Sequence, residues 1–472
     1  MMKSFALHEV VEKTEGRLIN GDCEFDHVST DTRAVQSGDL FVALRGEKFD
    51  AHQFLQQAVE KNVSGLVVEQ ADKSIGLPQL VVSDSTIALG KLAQINRENF
   101  LGKVIGITGS CGKTTVKTML RNILSCKGSV HATEGNFNNH IGVPLTLFAI
   151  SPQHQYSVIE MGASAPGEIA YLADLAKPDV AVITNVLRAH VEGFGSIEAV
   201  AKAKGEIFSQ LSPKGTAVIN LDDRFAHSWV ASNPGKKLVT FSCLTPTADF
   251  FAKNISVLEN GNIGFEMVMF GEQLEIELAM LGKQNVANAL AAAACAYAVG
   301  ASGEDIKNGL QGTRAVNGRM QSMVGKSGSL IIDDSYNANP DSVQAAINAL
   351  VSLQRESILV LGDLAELGAD SNALHQSLGA YAKAKKITEL LTVGDEAQFA
   401  SEKFNSEKGS LGQIAKHFSS QEELISYLLN RVEKNSAVLI KGSRVSHMER
   451  VVAALTDADA VTGADAIFGA KH

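Results

Sequence analysis

The sequence predicts an α/β chain built of three units, and three observations carry that reading. Its 472 residues are 45% hydrophobic and 20% charged, enough for more than one core when a domain takes about 100–200 residues. Apolar runs of strand length alternate with helical periods, the pattern of parallel βαβ units. The texture changes near residues 84 and 313, dividing the chain into 1–84, 85–313 and 314–472.

In the first unit short β-like runs, Leu40 to Leu44, Gly65 to Val68 and Leu80 to Val82, surround one helical stretch, Phe54 to Lys61, as in a small α/β domain. In the second, strands are expected at Val104 to Thr108, Ser157 to Met161, Val180 to Thr184, Ala217 to Asn220 and Leu238 to Phe241, giving an open parallel sheet. Residues 262–280 then alternate apolar and polar, clearest in Leu274-Glu275-Ile276-Glu277-Leu278, an antiparallel segment with one wet face. The alanine-rich run Ala287 to Val299 reads as a buried helix. In the third unit Leu330 to Ile332, Ile358 to Leu361, Leu390 to Val393 and Val438 to Ile440 are each followed by a helical period, which predicts a second doubly wound, Rossmann-like domain. Ligands of such sheets sit beyond the strand C-termini, so catalysis is expected between domains.

Composition excludes several classes. A formal charge of -10 argues against non-specific nucleic-acid binding, which needs a basic face. The five cysteines (Cys23, Cys111, Cys126, Cys243, Cys295) are odd in number and form no CxxC pair, so neither a disulfide framework nor a zinc site is expected, and a reducing cytoplasm fits. The start MMKSFALHEVVEKTEG has no long apolar core before its charges, and no run of about 18 apolar residues occurs, so neither a leader nor membrane insertion is expected.

Chemistry concentrates in residues 106–115, GITGSCGKTT. A strand running into a glycine-rich turn and then a helix aims backbone N–H groups at an anion. Gly109, Ser110, Cys111, Gly112, Lys113, Thr114 and Thr115 would form that cradle, with Lys113 on the β- and γ-phosphates and the Thr114 hydroxyl on magnesium. The usual pattern has a glycine where this chain has Ile107, with glycines at 106 and 109 instead. ATP-type chemistry with Mg2+ is therefore expected. Glu160 closes an apolar strand where a magnesium ligand is wanted, and His190 follows the next strand end, where it can face the same cation. By composition Ala201-Lys202-Ala203-Lys204 is a solvated helix face. Asn285 and Asn288 head the alanine-rich helix, either as caps or as adenine-contacting amides. Arg319 is either a surface ion pair or a guanidinium reaching across to a γ-phosphate. Asp333 to Pro340, with Asp334, Tyr336 and Asn339, is a polar loop leaving an apolar strand.

The segments TGSCGKTT, GNFNNHIGVP, EMG, TNVLRAH, AKAKGEIF, GKQNVANALAAAA, NGRMQ, DDSYNANPDSV, LGDLAELG and KGSRVSHME occur in the order found in the Mur ligases of bacterial cell-wall synthesis. The chain resembles that family over essentially its whole length. Residues 135–144 and 334–343 are similar to the branch that adds D-alanyl-D-alanine to UDP-MurNAc-tripeptide, and the DNPR stretch of diaminopimelate-adding members is missing. The nearest alternative is another amide ligase of the same superfamily. A nucleotide switch would carry the guanine-specifying NKxD, which is absent.

The resemblance implies that ATP, with magnesium, activates the tripeptide carboxylate as an acyl phosphate that the dipeptide amine then attacks, in a monomeric cytoplasmic enzyme. It implies a carbamylated Lys204, preferred over Lys202 because Lys204-Gly205-Glu206-Ile207-Phe208 fits the spacing. Thr114 would hold one magnesium, and Glu160, His190 and modified Lys204 a second. Lys113 and Arg319 would offset anion repulsion, while Asn285, Asn288, Asp334, Tyr336 and Asn339 would line the nucleotide. Asn138 and Asn139 would lie toward the muramyl peptide. Ser29, Thr30, Arg33 and Phe41 fall in segments that look like the family's UDP-binding region. Family members read DGH where this chain has Asp50-Ala51-His52, which removes a glycine's backbone freedom there. Because Cys111 sits inside the cradle, alkylating it is expected to block ATP binding; full activity with the thiol quantitatively modified would contradict this.

Overall fold

The computed structural model describes residues 2–457 except 47, 48, 189, 190, 213, 259, 260 and 411, and excepting the side chains of 191 and 192. The middle of the chain forms one nine-stranded sheet in the order Glu272–Leu278, Ile263–Met269, Phe250–Val257, Lys237–Ser242, Thr216–Asn220, Val180–Ile183, Lys103–Thr108, Tyr156–Glu160, Val130–Ala132. From Phe250–Val257 to Val130–Ala132 neighbours run parallel, and the first three strands form an antiparallel meander. The alternating segment is thus an extension of the parallel sheet. Phe250–Val257, absent from the sequence expectation, makes the join; its register shifts between Lys253 and Ser256, which breaks its alternation.

The strand Lys103–Thr108 lies inside this sheet, flanked on both sides by parallel partners. Its apolar run reads continuous because both faces are covered. On one face the helix Lys113–Ser125 packs with the alanine-rich helix Gln284–Ala298 and with Gly303–Gln311. On the other, the helix Ile197–Ser209 lies under the strand, started by Ser196, whose Oγ accepts from the Ala199 N–H at 3.1 Å.

The N-terminal sheet has the order Arg17–Ile19, Gln79–Val81, Gly65–Val68, Leu40–Val42, Val28–Ser29. Phe41 corrects the sequence expectation: it is 0% exposed within a cluster that includes Leu55, Ala58, Leu66 and Val68, so its side chain is core and offers no surface to a ligand. Ala51 belongs to the same cluster and is not among the residues with positive φ, so this backbone needs no glycine there. The helix Ser85–Asn99, capped by Asp84, carries the chain to the central sheet. There Asn96 Nδ2 donates to the carbonyls of Leu147 and Ile150, and Gln94 Nε2 to that of Asp174. One hydrophobic cluster runs from Leu40 and Val42 through Leu89 to Val104 and Phe208.

The C-terminal sheet has the order Gln321–Val324, Leu330–Asp334, Ser436–Lys441, Glu356–Gly362, Glu389–Val393, Ile414–Phe418, parallel except for the first pair. Its two edge strands were not foreseen. Among the described residues no helix is long and apolar enough to cross a membrane.

The helix Lys113–Ser125 is fixed by a backbone-to-backbone crossing. A Cβ at Gly309 would lie 2.3 Å from Ile123 Cα and 2.5 Å from its nitrogen. Neither atom can turn aside, so Gly309→Ala is expected to destabilise the chain by about 1–3 kcal/mol through overpacking, read as a lower urea midpoint at unchanged slope; an unchanged midpoint would show that the two helices separate freely.

Candidate active site

The turn after Lys103–Thr108 requires its two glycines. Gly109 has φ 149°, and a Cβ there would stand 1.9 Å from Thr184 Oγ1. Gly112 has φ 83°, and its Cβ would meet Asn288 Oδ1 at 2.4 Å. The neighbouring strand end holds the turn from one side. Ser110 N–H donates to the Asn185 carbonyl and Cys111 N–H to Asn185 Oδ1, both at 2.9 Å, while Thr184 Oγ1 donates to the Cys111 carbonyl at 2.6 Å. The amides of Ser110 and Cys111 are therefore engaged. The free donors are those of the first helical turn, Lys113, Thr114 and Thr115, because the helix starts at Gly112 with no side-chain cap. That open, positive helix end suits a phosphate. Lys113 Nζ folds back to donate to the Gly109 carbonyl at 2.7 Å, spanning the same turn. Burial lowers its pKa against the opposing pull of Glu160.

Glu160, 2% exposed, is the centre of the polar contacts. Its Oε1 accepts from Asn138 Nδ2 at 2.9 Å, and its Oε2 from Thr114 Oγ1 at 3.0 Å, with Lys117 Nζ 3.5 Å away. Lys117 was missed in the sequence, although three residues past Thr114 and four past Lys113 is the spacing of one helix face. Burial lowers its pKa, again opposed by Glu160. Asn139 turns away from this cluster: its Oδ1 accepts from the N–H groups of Ile141 and Gly142 at the start of the helix Gly142–Phe148.

Thr114 and Glu160 supply hard oxygen donors side by side, and magnesium is usually held by one or two carboxylates plus phosphate oxygens and water. The pair fits such an ion. Among the described residues no group of three His, Cys, Asp or Glu could hold a metal without those extra oxygens. His190 lies outside the described residues. Lys204 is 2% exposed, on the stripe shared with Val200, Ile207 and Phe208, whereas Lys202 is exposed. Composition had favoured a solvated face, yet four-residue spacing from Val200 places Lys204 inward. Burial, reinforced by the charge of Lys113, brings its amine down to about 7.

The C-terminal unit docks against this turn. Asn339 caps the helix Pro340–Ser352 through its Oδ1, and its Nδ2 donates to Cys111 Sγ at 3.0 Å. Arg188 N–H donates to Asp341 Oδ2 at 2.9 Å. The Arg319 guanidinium lies 4.2 Å from the Tyr336 ring centroid. Both line a cavity of about 740 Å³ between the helix Lys113–Ser125, the strand Val130–Ala132 and the C-terminal unit. Lys117, Arg121, Arg319 and Arg444 give that cavity a cationic lining opposed by Glu134.

Other expected residues are placed differently. Asp334 faces its own domain, its Oδ2 accepting from the buried Lys441 Nζ at 2.6 Å and its Oδ1 from Met320 N–H. Lys441, also unforeseen, donates as well to the Asn337 carbonyl and so fixes the loop that presents Tyr336 and Asn339. Asn285 Nδ2 donates to the Leu281 carbonyl and Asn288 Nδ2 to Asn285 Oδ1, so the pair braces the helix start beside Gly112. Ser29 and Arg33 make their hydrogen bonds within the N-terminal unit, Arg33 pairing with Asp31 in the open; Thr30 lies beside them.

Family models match three consecutive stretches: "Mur ligase family, catalytic domain" at 24–97, "Mur ligase middle domain" at 107–296 and "Mur ligase, glutamate ligase domain" at 318–444. The chain is 41% identical to the UDP-N-acetylmuramoyl-tripeptide–D-alanyl-D-alanine ligase of Escherichia coli (strain K12), over 97% of this chain and 99% of the relative. Its fold is similar to the crystal structure of MurF from Acinetobacter baumannii, with TM-score 0.89, 34% identity and coverage of 96% and 98%. It also resembles MurF from Thermotoga maritima in complex with ADP, with TM-score 0.80, 30% identity and coverage of 90% and 96%. The chain belongs to the Mur ligase family, on the branch of the UDP-N-acetylmuramoyl-tripeptide–D-alanyl-D-alanine ligases.

Proposed function

We infer that the protein is an ATP-dependent amide ligase that adds D-alanyl-D-alanine to UDP-MurNAc-tripeptide, giving UDP-MurNAc-pentapeptide, ADP and phosphate in peptidoglycan precursor synthesis. The observation that carries this reading is the end-to-end match to ligases of that name, in a chain whose helix Lys113–Ser125 lines a cationic cavity through Thr114, Lys117 and Arg121. A carboxylate is a poor electrophile. Its oxygen first attacks the γ-phosphorus, the bond to the β-bridging oxygen breaks, and ADP leaves. The dipeptide amine then attacks the acyl carbon, sheds a proton, and expels phosphate.

We assign the residues as follows. The amides of Lys113 to Thr115 and the Lys113 ammonium hold the phosphates, and Arg319 reaches from the C-terminal unit to offset charge during transfer. A divalent cation at Thr114 and Glu160 would supply further neutralisation of the phosphoryl oxygens. Tyr336 and Asn339 would border the nucleotide, with Asp334 acting behind them through Lys441. Asn138, on Glu160, would lie toward the muramyl peptide, and residues 29–33 toward its UDP end. With divisions at about 84 and 313, we assign UDP-MurNAc binding to the first unit and ATP binding to the second, followed by a Rossmann-like third unit that supplies Arg319. A cytoplasmic location accords with five free thiols among the described residues.

With Mg2+ and ATP present, sustained ADP release is expected only when UDP-MurNAc-tripeptide and D-alanyl-D-alanine are both supplied, the tripeptide alone giving no more than a single turnover of acyl phosphate, and Lys113→Met is expected to reduce kcat/KM about a thousandfold; sustained turnover with another acceptor alone, or a fully active variant, would overturn the assignment.

We further propose that Lys204 carries a carbamate. Carbon dioxide adds only to the neutral amine, so an amine at about 7 is half ready at neutral pH. As pH falls through 7 the amine keeps its proton and carbamate occupancy declines; above 7 occupancy rises. Labelling with 13C-bicarbonate is expected to give a carbamate resonance with this pH dependence in the wild type and in Lys202→Ala, and none in Lys204→Ala. A signal that survives in Lys204→Ala would place the modification elsewhere.

A further inference from the structure

The three contacts on Glu160 are not equivalent toward a metal ion. The Thr114 hydroxyl keeps lone pairs when it turns, and Asn138 occupies only Oε1. Lys117 differs. Its ammonium has no lone pair, it stands beside the same Oε2, and its charge opposes any cation that Glu160 would bind. Side-chain exposure is 9% for Lys117 and 3% for Glu160, so water screens neither group well. A carboxylate this deeply buried needs a cation beside it. The same side chain also lines the 740 Å³ cavity, so its flexible four-carbon stem has space to turn into.

We propose that Lys117 is the stand-in cation of Glu160: it neutralises the carboxylate before metal arrives, and metal binding exchanges the ammonium into the cavity. The inference rests on the reading of Glu160 as a metal ligand. It makes Lys117 a positioning residue that neutralises and orients a buried carboxylate while weakening its grip on metal. Removing the ammonium should therefore tighten metal binding, an effect opposite to that of ordinary structural damage.

The test is Mn2+ binding to the full chain saturated with the non-hydrolysable analogue AMPPCP, with free Mn2+ counted by electron paramagnetic resonance. Lys117→Met is expected to lower the Mn2+ dissociation constant fivefold or more. Lys117→Arg, which keeps the charge, should stay near wild type, and Glu160→Gln should bind several-fold more weakly. Equal or weaker Mn2+ binding by Lys117→Met, with Glu160→Gln weakened, overturns the exchange while leaving the Glu160 assignment intact. Wild-type binding by Glu160→Gln overturns both. Thermal unfolding reports whether Lys117→Met is folded; if it is not, Lys117→Gln, which retains polarity without charge, gives the same reading.

Discussion

The geometry of the site depends on one buried carboxylate. Glu160 ends a strand whose residues are all buried, and everything that approaches it is a donor or a cation: Asn138, Thr114 and Lys117, with Lys113 held by its field. Without it, the first two turns of the helix Lys113–Ser125 would place two ammonium groups in a half-closed space with no counter-charge. Such a cluster is far more costly than a single exposed lysine. The carboxylate therefore allows the helix Lys113–Ser125 to start where it does. It also ties its strand to the segment that follows Val130–Ala132, since its own N–H donates to Thr133 Oγ1 and its Oε1 accepts from Asn138.

A second constraint is steric. The turn at Gly109 to Gly112 is pressed between Thr184 and Asn185 on one side and Asn288 on the other, and at both glycines a methyl group would collide with a fixed polar side chain. The amides are thereby oriented before any ligand arrives, which limits the ordering cost of binding. The same crowding brings Cys111 against Asn339 of the C-terminal unit. Contact between the two units thus runs through the glycine-rich turn itself.

Much of this was legible in the sequence, for physical reasons that differ by residue. Buried parallel strands announce themselves as apolar runs, and the turn with Lys113 carries its own chemistry. Edge strands such as Val130–Ala132 and Ile414–Phe418 are short or partly exposed and lack that signal. Phe41 entered the expected site only because its segment resembles the family's UDP-binding region; its side chain fills the core, and burial of a single aromatic within an apolar run leaves no mark in the sequence. Asp333 and Asp334, expected in a loop, instead close the strand Leu330–Asp334, and Asp334 turns to Lys441, a partner 107 residues away that no local pattern could supply. Lys204 was decidable by periodicity alone, since Val200, Lys204 and Phe208 recur on one helix face and Lys202 does not.

The charge balance of the site follows from these placements. Lys113 and Lys117 share one carboxylate and Lys204 lies within the field of Lys113, and such an excess of positive charge in a dry space must be relieved by proton loss or by a new anion. Lys204 shows the strain in its lowered amine pKa, which stems from burial and from Lys113. Carbamylation, as proposed, would convert that group from a reluctant cation into an anion and leave two acidic groups facing two ammonium groups. The pressure that makes Lys204 a poor cation is thus what would make it a good carbon dioxide acceptor. The cationic cavity lined by Lys117 would remain available for the phosphates and carboxylates of the proposed substrates, in a chain whose formal charge is -10. A net negative surface and a locally positive site are compatible, because at physiological ionic strength fields from distant surface charges fade within about 8 Å of water while buried neighbours interact with little screening.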